Sequence, residues 1–412
     1  MPASTAPVST AFVAFRVLLP FACGYFLSYL FRSVNAVIAP NLQQDLGVGA
    51  ADLGVLTAAF FVTFAAAQLP IGILLDRFGP PKVQAGLLLI AALGSIAFAI
   101  APNLPLLTLA RALLGFGLAA GLMSAMKAIA IWLPRERWAV ANGVFLTAGG
   151  LGALSATLPV EWSLQYMNWQ SLFWLLAAFA AASALVIYFV VPDNVDVPHS
   201  DNSLRTQLRD CRDFITDAHF WKIAPLGILA MGSASAIQTL WCGPFLRDVG
   251  GLNQASAAQI QFIMAIALTV GFTLTGIVAD RLLKLGISLS QTMVWSTWGY
   301  VICLAVMSSG WGATSLWLWI AFGLLQMTTV LAYPILTAQF PVAKSGRVNA
   351  LLNAVFFGSI FIIQAGMGWI IEIWPKDAAG HYPLAAYQWA FGSFTVLLAL
   401  TLVWYVWPRR QS

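Results

Sequence analysis

Charge is scarce in this chain: Asp, Glu, Lys and Arg together make up 8% of 412 residues, against about 25% in soluble domains. Beside 60% hydrophobic residues, that shortage excludes an ordinary soluble fold. The four cysteines, Cys23, Cys211, Cys242 and Cys303, have no paired spacing, which excludes a disulfide framework and a thiolate zinc site. The three histidines, His199, His219 and His381, all stand in polar segments, so none is available for a buried proton relay or an imidazole metal site. Methionines such as Met123, Met126, Met231 and Met264 are singly placed on apolar stretches and read as packing rather than soft-metal ligands. No Gly-Lys-Ser/Thr phosphate loop occurs, which argues against pumping driven by ATP. No cofactor, metal or enzymatic activity is expected.

What is present is a succession of apolar runs, each near the ~20 residues a helix needs to cross a bilayer. They fall near 14–39, 53–75, 83–101, 105–132, 138–160 and 170–191, then 222–246, 257–281, 287–309, 313–340, 347–373 and 386–407. The first run is too long for a cleaved secretory signal and reads as a retained helix. The expectation is an all-α membrane protein of twelve transmembrane helices, with both termini on one side. Arg16, Arg77, Lys82, Arg135, Arg137, Arg205, Arg209, Arg212, Lys222, Arg281, Lys284, Lys344, Arg347, Arg409 and Arg410 all fall at that side, which the positive-inside rule makes cytoplasmic. The net charge of +5 therefore follows topology and does not point to nucleic acid. Seven tryptophans near span ends, Trp162, Trp169, Trp221, Trp311, Trp374, Trp404 and Trp407, read as interfacial anchors.

The chain repeats itself. Gly72-x-x-x-Asp76-Arg77 recurs as Gly276-x-x-x-Asp280-Arg281, an offset of 280 − 76 = 204, and Pro40 falls on Pro244 at the same offset. Two halves of six spans follow, 1–191 and 222–412, joined by a polar cytoplasmic linker at 192–221. Such repeats place a substrate site between the halves near the bilayer midplane.

The segment Gly72-Ile-Leu-Leu-Asp76-Arg77-Phe-Gly79-Pro-Pro-Lys82 resembles the signature loop of the major facilitator superfamily. The resemblance implies two pseudo-symmetric six-helix bundles that rock to expose a site to each side in turn. Glycines allow a tight turn and close helix approach, while the carboxylate can pair with basic groups; Asp76, Arg77, Asp280 and Arg281 are assigned to gating. The first half further resembles the anion:cation symporter family of sialin-type and sugar-acid transporters. That resemblance runs through Tyr29-Leu-Phe-Arg32-Ser-Val-Asn35, Gln68-Leu-Pro70-x-Gly72, Arg111-Ala-Leu-Leu-Gly115 and Trp132-Leu-Pro134-Arg-Glu136-Arg137. It implies that Arg32 meets a substrate carboxylate, and a bacterial chain of this kind implies the inner membrane. Two acids common in that family are replaced here by Phe31 and Leu118, so the resemblance supports anion binding better than carboxylate-based proton coupling.

The charges agree. All fifteen acids stand in loops, in the linker or at helix ends, so basic residues within spans lack a fixed counter-charge and favour a negative solute. Arg32 and Lys127 are the candidates, each with snorkelling as the competing reading; Arg111 reads as structural. Tyr29, Gln238, Tyr333 and Asn353 are the preferred polar lining, from a wider set with Tyr25, Asn35, Trp241 and Gln364. The expected function is alternating-access transport of a small organic anion by a monomer in the lipid bilayer, proton-coupled or by exchange. A peripheral acid such as Glu161 is one candidate for coupling. The competing readings are a neutral, cationic or metal-bearing solute, with the basic residues structural, and a transport-inactive sensor.

Overall fold

In the computed structural model, residues 13–133, 138–192, 212–340 and 345–407 are described. Among the described residues the long helices form twelve rods, with one short helix at Leu158–Ser163 besides: α1 (Ala14–Ser33, continued by Asn35–Leu46), α2 (Ala50–Phe78), α3 (Pro80–Ala99), α4 (Leu104–Leu118 and Gly121–Trp132), α5 (Trp138–Ser155), α6 (Trp169–Val190), α7 (Ala218–Asp248), α8 (Gln254–Lys284), α9 (Leu289–Ser308), α10 (Leu316–Leu325, Gln326–Leu331 and Ala332–Thr337), α11 (Ser345–Glu372) and α12 (Leu384–Val406). Among the described residues, nine helices are long and apolar enough to cross a membrane. Local chemistry sets the starts. Asn103, Asn168, Asn253 and Ser288 each accept a hydrogen bond from a first-turn N–H of the helix that follows, satisfying donors that have no partner within the helix. Pro80 opens α3 where its missing N–H costs nothing.

The rods pack as two sets of six. In the first, α1 lies on α5, α2 on α4 and α3 on α6; in the second, α7 lies on α11 and α12, α8 on α10 and α9 on α12. The sets meet along α2–α11, α5–α8 and α1–α7. We call the end bearing Arg16, Arg77, Lys82 and Lys284 the basic end, and the opposite end the far end. Small residues carry the joins. A Cβ on Gly54 of α2 would lie 3.1 Å from the Gln364 carbonyl of α11, and one on Gly243 of α7 would lie 2.6 Å from the Ala36 carbonyl of α1.

Every third rod is irregular. α1 breaks at Val34, α4 breaks at residues 119–120, α7 passes through a π-helical turn at Ile237–Trp241, and α10 through a 3₁₀ stretch at Gln326–Leu331. In a membrane such backbone survives only where protein or a wet cavity satisfies it. The satisfying groups are visible: Arg111 donates to the Phe31 carbonyl at 2.9 Å, Ser28 to the Leu118 carbonyl at 3.3 Å and Gln68 to the Ala119 carbonyl at 3.3 Å. These rods therefore surround the middle of the molecule. One expectation is corrected here. Trp169, read as an interfacial anchor, is buried, its indole donating to Asp45 at the end of α1 at 2.8 Å and so tying α6 to α1 within the first bundle. Of the linker, residues 193–211 lie outside the described residues, as do Arg135, Glu136, Arg137, Lys344, Arg409 and Arg410.

Candidate functional site

Arg32 ends the first piece of α1, one residue before Ser33 and the break at Val34. Its guanidinium carbon lies 4.4 Å from the Tyr29 ring centroid, 5.1 Å from that of Phe64 on α2 and 5.0 Å from that of Phe357 on α11. The cation is thus held by aromatic faces from both six-helix sets. It is only 8% exposed, its Nε has no hydrogen-bond partner, and no carboxylate pairs with it among the described residues. Aromatic quadrupoles partly offset the cost of a buried cation but cannot accept its directional N–H bonds as an oxygen does.

One helical turn toward the basic end, a polar bridge crosses the join. The Tyr333 hydroxyl of α10 donates to Asn353 Oδ1 at 2.8 Å, and Asn353 Nδ2 donates to Gln68 Oε1 of α2 at 3.0 Å. Gln68 Nε2 in turn donates to Phe64 and Ala119 carbonyls at 3.2 and 3.3 Å. Tyr25 extends the aromatic wall, its hydroxyl donating to Tyr29 at 3.4 Å. Gln238 sits half-buried in the π-helical turn of α7 without a hydrogen bond among the described residues.

Other sequence candidates are committed elsewhere. Arg111 is fully buried and serves the Phe31 carbonyl. Asn35 donates to Thr57 at 2.9 Å, Gln364 to Thr239 at 3.2 Å, and Trp241 to the Gln364 carbonyl at 3.2 Å, so these spans use their polar groups to hold each other. Lys127 is not brought to Arg32. Its ammonium donates to Asp76 at 2.6 Å and to the Leu75 carbonyl at 2.8 Å, and Leu75 lies eleven residues beyond Phe64 on α2, about 16 Å along the helix. The lysine stem reaches past its own helix to the carboxylate at the basic end, a stronger claim on an ammonium than an apolar pocket offers.

The gating quartet is likewise unequal. Asp76 ties α2 to α4 through Lys127, whereas Asp280 pairs with Lys284 one turn along the same helix at 2.6 Å and is exposed. Arg77 and Arg281 are both exposed, Arg77 lying 5.2 Å from the Phe78 ring centroid. The two motif copies share residues but only the first joins two rods through a described ion pair.

Sequence reading missed three of the residues that shape the pocket as lining groups: Phe64, Phe357 and Gln68. Gln68 stood inside a recognisable motif, but its partner Asn353 is 285 residues away, and nothing in the sequence fixes which turn of α2 faces which turn of α11.

Comparisons with known proteins agree with this architecture. Over residues 273 long, the chain is 25% identical to the probable sulfoacetate transporter SauU of Cupriavidus necator, a match covering 63% of each chain; it thus spans less than two thirds of that relative. It is 25% identical over 270 residues to the hexuronate transporter of Escherichia coli, covering 61% of this chain and 62% of that one. It is 21% identical over 404 residues to the uncharacterized transporter YybO of Bacillus subtilis, covering 92% and 90%. The fold superimposes on the inward-facing crystal structure of a bacterial homolog of the human lysosomal transporter Spinster, with a TM-score of 0.73, 19% identity and 97% of each chain covered. Residues 21–290 match the family model described as Major Facilitator Superfamily. With that match spanning more than half of its length and an all-helical fold to accord with it, the chain belongs to the major facilitator superfamily of transporters.

Proposed function

We propose that this protein is a secondary transporter of a small organic anion, whose negative group is received by Arg32 between the two bundles. The observation that carries the reading is the state of Arg32: a cation 8% exposed, faced by Tyr29, Phe64 and Phe357, with no acid or oxygen acceptor among the described residues. A buried charge left open in this way is completed by a ligand of opposite sign. The transport of sulfoacetate and hexuronate ascribed to relatives supports the same class.

The Gln68–Asn353–Tyr333 bridge supplies neutral donors and acceptors one turn away, suited to hydroxyl or carbonyl groups on the rest of the solute. Because the bridge spans both bundles, a solute arriving from the basic end exchanges those bonds for its own, which ties binding to bundle movement. Lys127, held by Asp76, belongs to the gate rather than the pocket. The positive-inside rule makes the basic end cytoplasmic, in a bacterial inner membrane. Both bundles come from one chain, so a monomer completes the site.

The test is substrate counterflow in proteoliposomes with a panel of monocarboxylates, sugar acids, sulfonates and uncharged analogues. Uptake of an anion that Arg32→Ala abolishes and Arg32→Lys partly retains is the expected result. Uptake of uncharged analogues only, or anion uptake undiminished in Arg32→Ala, overturns it.

A further inference from the structure

Two positions related by the internal repeat end differently. Gly49 precedes α2 and Asn253, 253 − 49 = 204 residues on, precedes α8. Asn253 caps its own helix, accepting from Ser256 N at 2.8 Å. Gly49 has no side chain with which to do so. The first N–H groups of α2 are instead satisfied by the other bundle: Ala50 N donates to the Tyr382 hydroxyl at 3.3 Å, and Ala51 N donates to the Glu372 carboxylate at the end of α11. A Cβ at Gly49 would collide with that carboxylate, so the glycine that removes the internal cap also makes room for the external one.

The contact lies on the α2–α11 join between the bundles. Gly368, one turn before Glu372, brings α11 so near that its Cβ would lie 2.8 Å from the Ala50 carbonyl. Opening the far end requires α2 and α11 to part there, so it must break the Glu372 cap. A carboxylate at a helix N-terminus gains from both charge-assisted hydrogen bonding and the helix dipole, and it loses both when protonated.

We propose that Glu372 is a proton-sensitive latch of the far end: ionised, it caps α2 across the bundle boundary and holds the far end shut; protonated, it releases that end to open. The neighbouring groups are otherwise engaged. Asp52 of α2 accepts from its own Gly49 N at 3.0 Å. Asp248 of α7 accepts from Tyr387 at 2.7 Å, lies 2.8 Å from His381 Nδ1 and accepts from Tyr382 N at 3.4 Å. Arg247 lies beside Asp248 in α7, Asp377 accepts from loop N–H groups, and Lys376 lies over the Tyr382 ring at 5.0 Å. Glu372 is the acid of this group that bonds to backbone across the boundary. The latch offers a place for proton coupling in a transporter whose described spans hold no carboxylate beside Arg32.

The test is a distance measurement between spin labels at Tyr166→Cys and Ala378→Cys, exposed far-end positions in opposite bundles, with native cysteines replaced by serine. No substrate is added, so the outcome is independent of the Arg32 reading. Acidification is expected to raise the ratio of long to short distances, and Glu372→Gln to show the raised ratio already at neutral pH with no further response. Tyr382→Phe removes a hydroxyl acceptor but no acid, and is expected to raise the ratio while keeping the pH response. A wild-type distribution that does not change with pH, or a Glu372→Gln protein that still responds to acid as the wild type does, overturns the proposal.

Discussion

Replacing Arg32 by methionine separates a waiting binding site from a structural arginine by the sign of the stability change. An arginine in mid-membrane costs about 2.5–3.5 kcal/mol on insertion scales. The three aromatic faces at 4.4, 5.1 and 5.0 Å each offset roughly 0.5–1 kcal/mol of that. The residue is left with a net penalty between about zero and 2 kcal/mol, which methionine, of similar length and no charge, removes. Arg32→Met is therefore expected to unfold at the same temperature as the wild type or a higher one, followed by the fluorescence of the chain's 17 tryptophans. Binding moves the other way. Loss of charge-assisted hydrogen bonds of about 1.5–3 kcal/mol raises Kd roughly 10- to 150-fold. An anion at a hundred times the wild-type Kd stabilises the wild type by about 2.7 kcal/mol, and the variant, if Kd rises a hundredfold, by about 0.4 kcal/mol. An Arg32→Met protein less stable than the wild type by more than about 1 kcal/mol that still responds fully to the anion would refute the reasoning.

Three further outcomes are expected. Gln68→Ala leaves Asn353 Nδ2 without its acceptor and Asn353→Ala leaves Gln68 Oε1 without its donor, each at about 1–3 kcal/mol, and the double variant costs less than the sum, a coupling of about 0.5–3 kcal/mol that a double-mutant cycle in chemical denaturation measures. Lys127→Met breaks the Asp76 pair at the basic end and lowers stability by about 1 kcal/mol, discounted for partial exposure, while anion affinity by calorimetry changes less than about threefold. The N–H groups of His381, above all, and then of Ala379 and Gly380 hold the Asp377 carboxyl below its ordinary range. A depressed carboxyl contributes order above its unfolded value and loses it as pH falls through the folded one, so the protection of the His381 amide, its exchange rate measured against the intrinsic rate at each pH, should fall on acidification through and below the carboxylate range.

Composition and spacing decide a great deal of this protein. The scarcity of charge and the run lengths dictate a membrane-spanning helical chain, because a bilayer sets a fixed helix length and rejects unpaired charge. The Gly72–Asp76 and Gly276–Asp280 copies reveal the repeat, since both lie in local sequence. Arg32 is legible for a similar reason: a cation in an apolar run without a local acid stands out wherever the chain folds.

The tertiary structure alone decides what each polar group meets. The sequence offers Lys127 and Arg32 as equals, yet helix packing gives one an acid at the basic end and leaves the other facing Phe64 and Phe357 from rods nearly three hundred residues apart. Gly49 and Asn253 are both plausible residues before a helix; only the crossing of α11 over α2 shows that the glycine surrenders its cap to Glu372. Periodicity fixes which residues share a helix, and the register between distant helices is set by side-chain packing that no local pattern encodes.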